Sequence, residues 1–436
     1  MGPAFGIMKP MSQVVKFEKI VPEGKALGRL PDGRAVFCIG PLPDETARVG
    51  LRKQKRTYAE ATLREILEPS PQRTGQAEDH ALSCSPWQGV DYGYQCQLKA
   101  DMITEAMHQH HVKTPKLAFI AAPEQFGYRN RLDFTLAEIE GKLQLAFHQR
   151  GSWDNLVPLP HGCKLGSQRM NAAALNLAAQ LAMLNVDLSP ATITVRHAPT
   201  TDELLTILTT NAKADWKTID TTVLDNFIVT HPLPGSGAPG QIAYHHGAIY
   251  ITERLAGVNV SYPYNSFFQT NTAAFELALT QIQKAVKPDW RIVELYSGVG
   301  AIGLPLAAAG HQVRGVEIVP DAVEFAERNA RANDIATYQA EAIASERMDP
   351  SVLADADCVI LDPPRAGLHP RVVTWLLETK PKSIIYLSCN PVTQARDLAL
   401  LQEHYRAASL TGFDFYPGAL HVESLAVLTA LPAYRE

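Results

Sequence analysis

From about residue 286 onward the chain reads as a doubly wound, mostly parallel α/β sheet, preceded by an α+β middle segment and a small N-terminal β-barrel. Three observations predict this. The runs RIVELYS, HQVRGVEIV, DADCVILD and KSIIYLSC alternate with the helical patterns GLPLAAAG and EFAERNARAN, and strands that alternate with helices pair in parallel. A Gly-x-Gly string, Gly298-Val299-Gly300, sits where one such strand hands over to a helix. Before residue 68, short β segments are punctuated by Gly24, Gly28, Asp32-Gly33 and Gly40.

The N-terminal unit, 10–68, contains VVKFEKI, ALGRL, RAVFCI and YAEATLREIL, with Asp32-Gly33 closing a hairpin. Its GKALGRLPDGRAVFCIGPLPDE stretch resembles the TRAM domain, an OB-like RNA-binding module. Arg52, Lys53, Lys55 and Arg56 could contact phosphates, although a cluster of this kind is also an ordinary solvated face. Glu68-Pro69-Ser70-Pro71-Gln72 reads as the linker out of the barrel.

The middle unit, 75–265, mixes a helix in LNLAAQLAML with strands in LLTILTT and GAIYITERLAGVNVSY. In Tyr128-Arg129-Asn130-Arg131-Leu132-Asp133-Phe134 two arginines project in step along an expected strand, where they could hold RNA backbone. HPLPGSGAPGQ is read as a loop. The third unit is 266–436.

Composition bounds the function. With 436 residues, 46% hydrophobic and 19% charged, the chain can build several globular domains. It has no apolar run of membrane-spanning length and no charged-then-apolar leader in Met1–Phe17, so a cytoplasmic protein without membrane association is expected. A net charge of -5 argues against indiscriminate coating of nucleic acid but leaves local basic surfaces open. Six scattered cysteines do not make a disulfide framework. Cys38 and Cys358 read as core.

The chemistry concentrates at strand ends. Alone, Glu294-Leu295-Tyr296-Ser297-Gly298-Val299-Gly300-Ala301 would suit a dinucleotide dehydrogenase equally well. Glu317, closing the next strand, is placed to accept both ribose hydroxyls of a nucleoside. Asp362-Pro363-Pro364-Arg365 and Ser388-Cys389-Asn390-Pro391 then close two later strands, and a dehydrogenase has no use for either. Asp-Pro-Pro is widespread among methyltransferases, where amino-group methylators usually follow it with an aromatic residue; Arg365 points instead to chemistry with a separate nucleophile.

With FFQTN (Phe267 to Asn271), DPPRAGLHP, YLSCNP and HVESLAVL (His421 to Leu428) in order and spacing, nearly the whole chain resembles the RNA uracil-C5 methyltransferase family. The resemblance implies a Rossmann-like class I methyltransferase domain behind a TRAM-like barrel. It implies S-adenosylmethionine held by Gln269, Tyr296, Glu317 and Asp362, with Cys389 as nucleophile and Glu423 as base. Ala301 departs from the family's Asn or Thr, and Ser297 from its Cys.

Uracil C5 is too poor a nucleophile to take a methyl group unaided. A thiolate added at C6 corrects that, and a general base must later remove the C5 proton. The target must be unstacked, with Phe268 either stacking on it or buried as core. The expected partner is structured RNA and the expected form a monomer. Ribosomal RNA (23S) is favoured because many bacterial tRNA-specific members lack the barrel; the alternatives are tRNA uridine-54, a cytosine-C5 RNA methyltransferase, and a non-catalytic RNA-binding protein.

Many family members also carry a [4Fe–4S] cluster on Cys-x5-Cys-x2-Cys plus a distant cysteine. Here only Cys84 and Cys163 match, because Val90 and Gly93 occupy the second and third positions and Cys96 is off the spacing. No cluster and no metal site are expected, with Trp87 and Tyr92 packing in the cluster's place. His108, His110 and His111 read as a solvated helix end.

Overall fold

The computed structural model describes residues 12–150, 155–184, 186–188 and 191–432. The expected barrel start at 10 and chain end at 436 lie outside the described residues. Strands β1 (Ser12–Ile20), β2 (Ala26–Arg29), β3 (Ala35–Ile39), β4 (Thr46–Gln54) and β5 (Tyr58–Glu68) close a barrel in the order β1-β2-β3-β5-β4. Alternation builds it: Val15, Phe17, Val36, Cys38, Val49 and Ala59 point inward. β4 was hidden in the sequence because Arg48, Arg52 and Lys53 obscure its inward Ala47, Val49 and Leu51. The barrel's exit is fixed by a buried carboxylate. Arg73 Nε and Nη2 reach Glu45 at 2.6 and 2.8 Å, and the Ser70 and Leu42 amides donate to the same group.

The next stretch departs from the expected division. After α1 (Ala81–Cys84), α2 (Tyr92–Gln109) packs on the C-terminal unit, and β6 (Ala118–Ile120) pairs in parallel with its last sheet strand but one. The expected middle unit 75–265 is therefore split. Sheet pairing that spans nearly 300 residues leaves no trace in local pattern.

Middle strands β7 (Arg131–Ile139), β8 (Lys142–His148) and β9 (Leu156–Pro158) are followed by helix α3 (Gln168–Ala182), capped by Ser167. With β10 (Ala191–Ala198), β11 (Glu203–Thr209), β12 (Asn226–Pro232) and β13 (Pro239–His246) they form a seven-stranded sheet, order β13-β12-β11-β10-β7-β8-β9. Met170, Leu177 and Leu181 of α3 pack in the same core as Phe134, Ile193 and Leu208 of the sheet. The expected loop HPLPGSGAPGQ shrinks to the turn between β12 and β13. β14 (Tyr250–Leu255) and β15 (Val258–Pro263) form a separate hairpin.

The C-terminal unit alternates as expected: α4 (Thr272–Ala285), β16 (Arg291–Leu295), α5 (Gly303–Ala308), β17 (Gln312–Glu317), α6 (Pro320–Ala332), β18 (Tyr338–Ala342), α7 (Ser351–Ala354), β19 (Cys358–Leu361), α8 (Pro370–Thr379), β20 (Ser383–Ser388), α9 (Pro391–Leu401), β21 (Tyr405–Phe413) and β22 (Glu423–Ala430). Its sheet runs β18-β17-β16-β19-β20-β22-β21-β6, parallel from β18 to β20, with β22 antiparallel to both neighbours. No helix among the described residues is long and apolar enough to cross a membrane.

One buried ion pair joins α2 to the loop between β21 and β22. Lys99 Nζ lies 2.6 Å from Asp414 Oδ1 and donates to the Tyr416 carbonyl at 2.8 Å, with neither side chain exposed to solvent. Removing one partner strands the other charge. Asp414→Ala is therefore expected to cost about 3–5 kcal/mol, and the double variant Lys99→Met/Asp414→Leu clearly less. Urea titration of each variant checks this; an unchanged midpoint for Asp414→Ala would show that the pair does not hold the loop.

Candidate active site

Parallel pairing lines up the carboxyl ends of β16, β17, β19 and β20, the rim at which open α/β sheets bind their ligands. Tyr296 leaves β16 with φ +63°, a left-handed conformation that costs a bulky residue roughly 1–2 kcal/mol. It turns the chain into Gly298 (φ +54°), where a side chain would meet only open space. Glu317, at the end of β17, is anchored on both oxygens: the amides of Gly298 and Val319 each donate at 2.9 Å. Ile318 beside it is 64% exposed, an apolar surface next to an oriented carboxylate. An apolar platform, an acid and an open backbone turn fit a nucleoside such as that of S-adenosylmethionine.

Asp362 follows β19, and Gln269 Nε2 donates to its Oδ2 at 3.2 Å. Gln269 is itself held through its carbonyl by Asn130 Nδ2 at 2.8 Å. Burial pushes the Asp362 carboxyl up to about 7, and the Gln269 hydrogen bond resists the rise.

Cys389 and Glu423 are brought together by register. β20 and β22 pair antiparallel with Ser388 opposite Ser424, so the next positions, Cys389 and Glu423, face each other at the end of the ladder. Gln394 of α9 locks this junction, donating to the carbonyls of Tyr386 and Ser424 at 2.9 and 3.1 Å while Ser424 Oγ donates back at 2.6 Å. The Cys389 loop is tied to the Asp-Pro-Pro-Arg loop, because Asn390 Nδ2 and Thr393 Oγ1 both donate to the Arg365 carbonyl. Burial and then the Glu423 charge push the Cys389 thiol up to about 12, and Arg365 works against them. The Glu423 carboxyl is raised well above its usual range by burial and then by Asp362; Tyr416 OH, 3.5 Å from Oε1, opposes the rise.

Other expectations were redirected. Phe268 is core, only 5% exposed and stacked on Tyr262 at 4.0 Å, whereas its neighbour Phe267 is 71% exposed. Of the two arginines only Arg131 lies on the strand, where it is paired with Asp133, while Arg129 precedes the strand and lines a cleft of about 410 Å³. Arg52, Lys53, Lys55 and Arg56 are exposed and make no ion pair among the described residues. Tyr416 and Gln394 went unread because each matters through partners brought together by the fold, Glu423 and Ser424.

A sequence profile of the family described as tRNA (Uracil-5-)-methyltransferase matches residues 91–431. The chain belongs to this family. It is an RNA uracil-C5 methyltransferase. An uncharacterised RNA methyltransferase of Thermosynechococcus vestitus is 31% identical over 95% of this chain and 97% of its own. One from Synechocystis sp. is 30% identical over 94% of each. A crystal structure described as Pyrococcus abyssi tRNA (uracil-54, C5)-methyltransferase in complex with S-adenosyl-L-homocysteine shares the fold. It has a TM-score of 0.75 at 24% identity, covering 96% of this chain and all of that one.

A [4Fe–4S] cluster needs four ligands, usually cysteines. Among the described residues Cys84 and Cys163 converge, but Cys96 lies apart on α2 beside Tyr92, so a cubane does not fit this chain. What gathers with the two thiols instead is Glu78 and His80, a group the sequence reading missed.

The raised Glu423 carboxyl has a stability consequence. The unfolded chain releases this proton near pH 4.3, whereas the folded chain keeps it to higher pH, so stability present below that value is lost as pH rises. Glu423→Gln is expected to match the parent in Tm near pH 4 and to exceed it by on the order of 2–4 °C at pH 8. Calorimetry at both values tests this, and a variant less stable than the parent at pH 8 would refute it.

Proposed function

We propose that this enzyme methylates a uridine of structured RNA through a covalent bond from Cys389 Sγ to C6 of the base. The observation that carries this reading is the pairing of Cys389 with Glu423 across the end of β20 and β22. Cys389, as thiolate, adds to C6 and moves an electron pair into the C5–C4–O4 system, so that C5 becomes the nucleophile. Gln269, Tyr296, Glu317 and Asp362 would hold S-adenosylmethionine, whose S–CH3 bond would break as the methyl group passes to C5, leaving S-adenosylhomocysteine. Glu423 then takes the C5 proton, the C5–C6 double bond re-forms, and Cys389 leaves as thiolate. Arg365, tied into the Cys389 loop, favours the thiolate by charge.

The base must leave its stack to present C6 to a half-buried thiol. Phe267 offers an exposed ring two residues before Gln269. The cleft of about 410 Å³ is lined by Glu23 of the barrel, Asp133 of β7, Arg129 and Arg150 just outside the middle strands, and His421 two residues before Glu423, so barrel, middle unit and site loop meet at one opening. The preference for ribosomal RNA rested on the barrel alone. A fold shared over 96% of this chain with an enzyme described as acting on tRNA uracil-54 removes that support, so ribosomal and transfer RNA are the two pools to compare.

Mass mapping of 5-methyluridine in both pools, from cells with and without the gene, is expected to show loss at defined positions in one of them. No change in either pool would sink the reading. With the identified RNA, Cys389→Ala should abolish turnover and the covalent complex, whereas Glu423→Gln should accumulate a denaturant-stable protein–RNA adduct. If Cys389→Ala still turned over, the covalent route would be excluded.

A further inference from the structure

We infer that Glu78, His80, Cys84 and Cys163 form a mononuclear metal site, suited to zinc, at the place where a cubane does not fit. The four ligand atoms all lie within 4.8 Å of one another. Tetrahedral zinc with bonds of about 2.0–2.3 Å sets its ligands roughly 3.3–3.8 Å apart, so closure around an ion asks for about 1 Å of contraction at the widest pair. His80 Nε2 is already 3.4 Å from Glu78 Oε1.

Burial and hydrogen bonding favour a missing cation over a self-satisfied polar cluster. His80 is 8% exposed, and its Nε2 has the Glu78 carboxylate at 3.4 Å and the Cys84 thiol as polar neighbours but no well-formed hydrogen bond among the described residues, a costly state for a buried ring nitrogen. A disulfide between Cys84 and Cys163 would leave that nitrogen just as it is. The surrounding contacts already orient the donors as the outer shell of a metal site does. Glu78 accepts from the Lys164 amide at 2.7 Å and from Gln88 Nε2 at 2.8 Å. Asn171 accepts from the Cys163 amide and donates back to its carbonyl, at 2.8 and 2.9 Å.

Two thiolates and a carboxylate around a divalent ion leave one negative charge. Arg129 and Arg150 stand close enough to interact with the thiols and offset it. Cys84 also borders the cleft, which gives an ion a way in. Soft sulfur with one nitrogen and one oxygen donor selects zinc over magnesium or calcium. The ion would be structural. It would join the segment 78–84 to the Cys163 loop, and the same segment continues to Trp87, whose amide donates to the Gly418 carbonyl in the loop that carries Tyr416.

The test uses the full chain, purified without chelators under reducing conditions. Elemental analysis should find about one zinc per chain. After chelation, cobalt(II) should titrate to about one equivalent with a thiolate-to-cobalt charge-transfer band. Zinc should protect Cys84 and Cys163, but not Cys96, from iodoacetamide. Glu78→Gln should keep the band and weaken zinc about tenfold or more, and Cys163→Ser should lose it. Iron with acid-labile sulfide would overturn the assignment. So would cobalt binding without the thiolate band, or an unmodified chain that takes up no zinc and shows no protection; the last two need no variant to fold.

Discussion

Lys99 and Asp414 are joined at 2.6 Å in a place neither could occupy alone, and the loop that builds the catalytic wall hangs from that contact. Removing two charges from water costs several kcal/mol per ion, a loss that close geometry and extra hydrogen bonds must offset. They are supplied in part: Lys99 also donates to the Tyr416 carbonyl and Asp414 Oδ1 also accepts the Tyr416 amide, while Asp414 Oδ2 finds no partner among the described residues. Gln95, one turn earlier on α2, repeats the pattern by accepting the Gly418 amide and donating to the carbonyls of Trp87 and Val90. One helix face thus sets the backbone of 414–418 and of 87–90 together. Tyr416, whose hydroxyl points at Glu423, is placed by a helix more than 300 residues earlier.

That placement matters because the catalytic pair is held in an unfavourable electrostatic state. The Cys389 thiol and the Glu423 carboxyl are both raised by burial, with the Glu423 charge adding to the rise at Cys389 and the Asp362 charge to that at Glu423. In the proposed mechanism Cys389 must be a thiolate to attack, and Glu423 a carboxylate to take a proton later. A site that resists both charges at once favours using them in sequence. Arg365 and Tyr416 are the two groups that favour the charged forms, and each belongs to a pinned loop: Arg365 by Asn390 and Thr393 of the Cys389 loop itself, Tyr416 from outside the site by Lys99 and Asp414.

The legible parts of the sequence are those in which one short string carries both fold and chemistry. Glu317, Asp362 and Cys389 each close an apolar strand, so a strand-end reading placed them on one rim before any contact was known. Glu423 was located through its string's resemblance, and its position opposite Cys389 follows from the antiparallel register of β20 and β22. Illegible parts depend on long-range pairing. β6 joins the sheet through β21; Glu78 and His80 acquire meaning only beside Cys163; of the two readings open for Phe268, core holds because Tyr262 supplies its stacking partner. Arg131 looked free until Asp133, two residues on, proved to hold it.

The barrel is bound to this same loop. Gly24 has φ +79°, and a Cβ there would lie 2.5 Å from Leu420 Cβ, so the β1–β2 turn seats its backbone directly on the residue before His421. Glycine is required twice over at that contact, for the left-handed backbone and for the missing side chain. The exposed cations at the end of β4 therefore sit on a body that touches the catalytic loop rather than on a swinging module. RNA gripped by Arg52, Lys53, Lys55 or Arg56 would be registered against Cys389 through a chain of direct contacts: barrel turn, Leu420, His421 and its neighbour Arg365 at 3.3 Å. With that geometry, any grip of the barrel cations on RNA would bear on which nucleotide reaches the thiol as well as on how tightly the RNA is held.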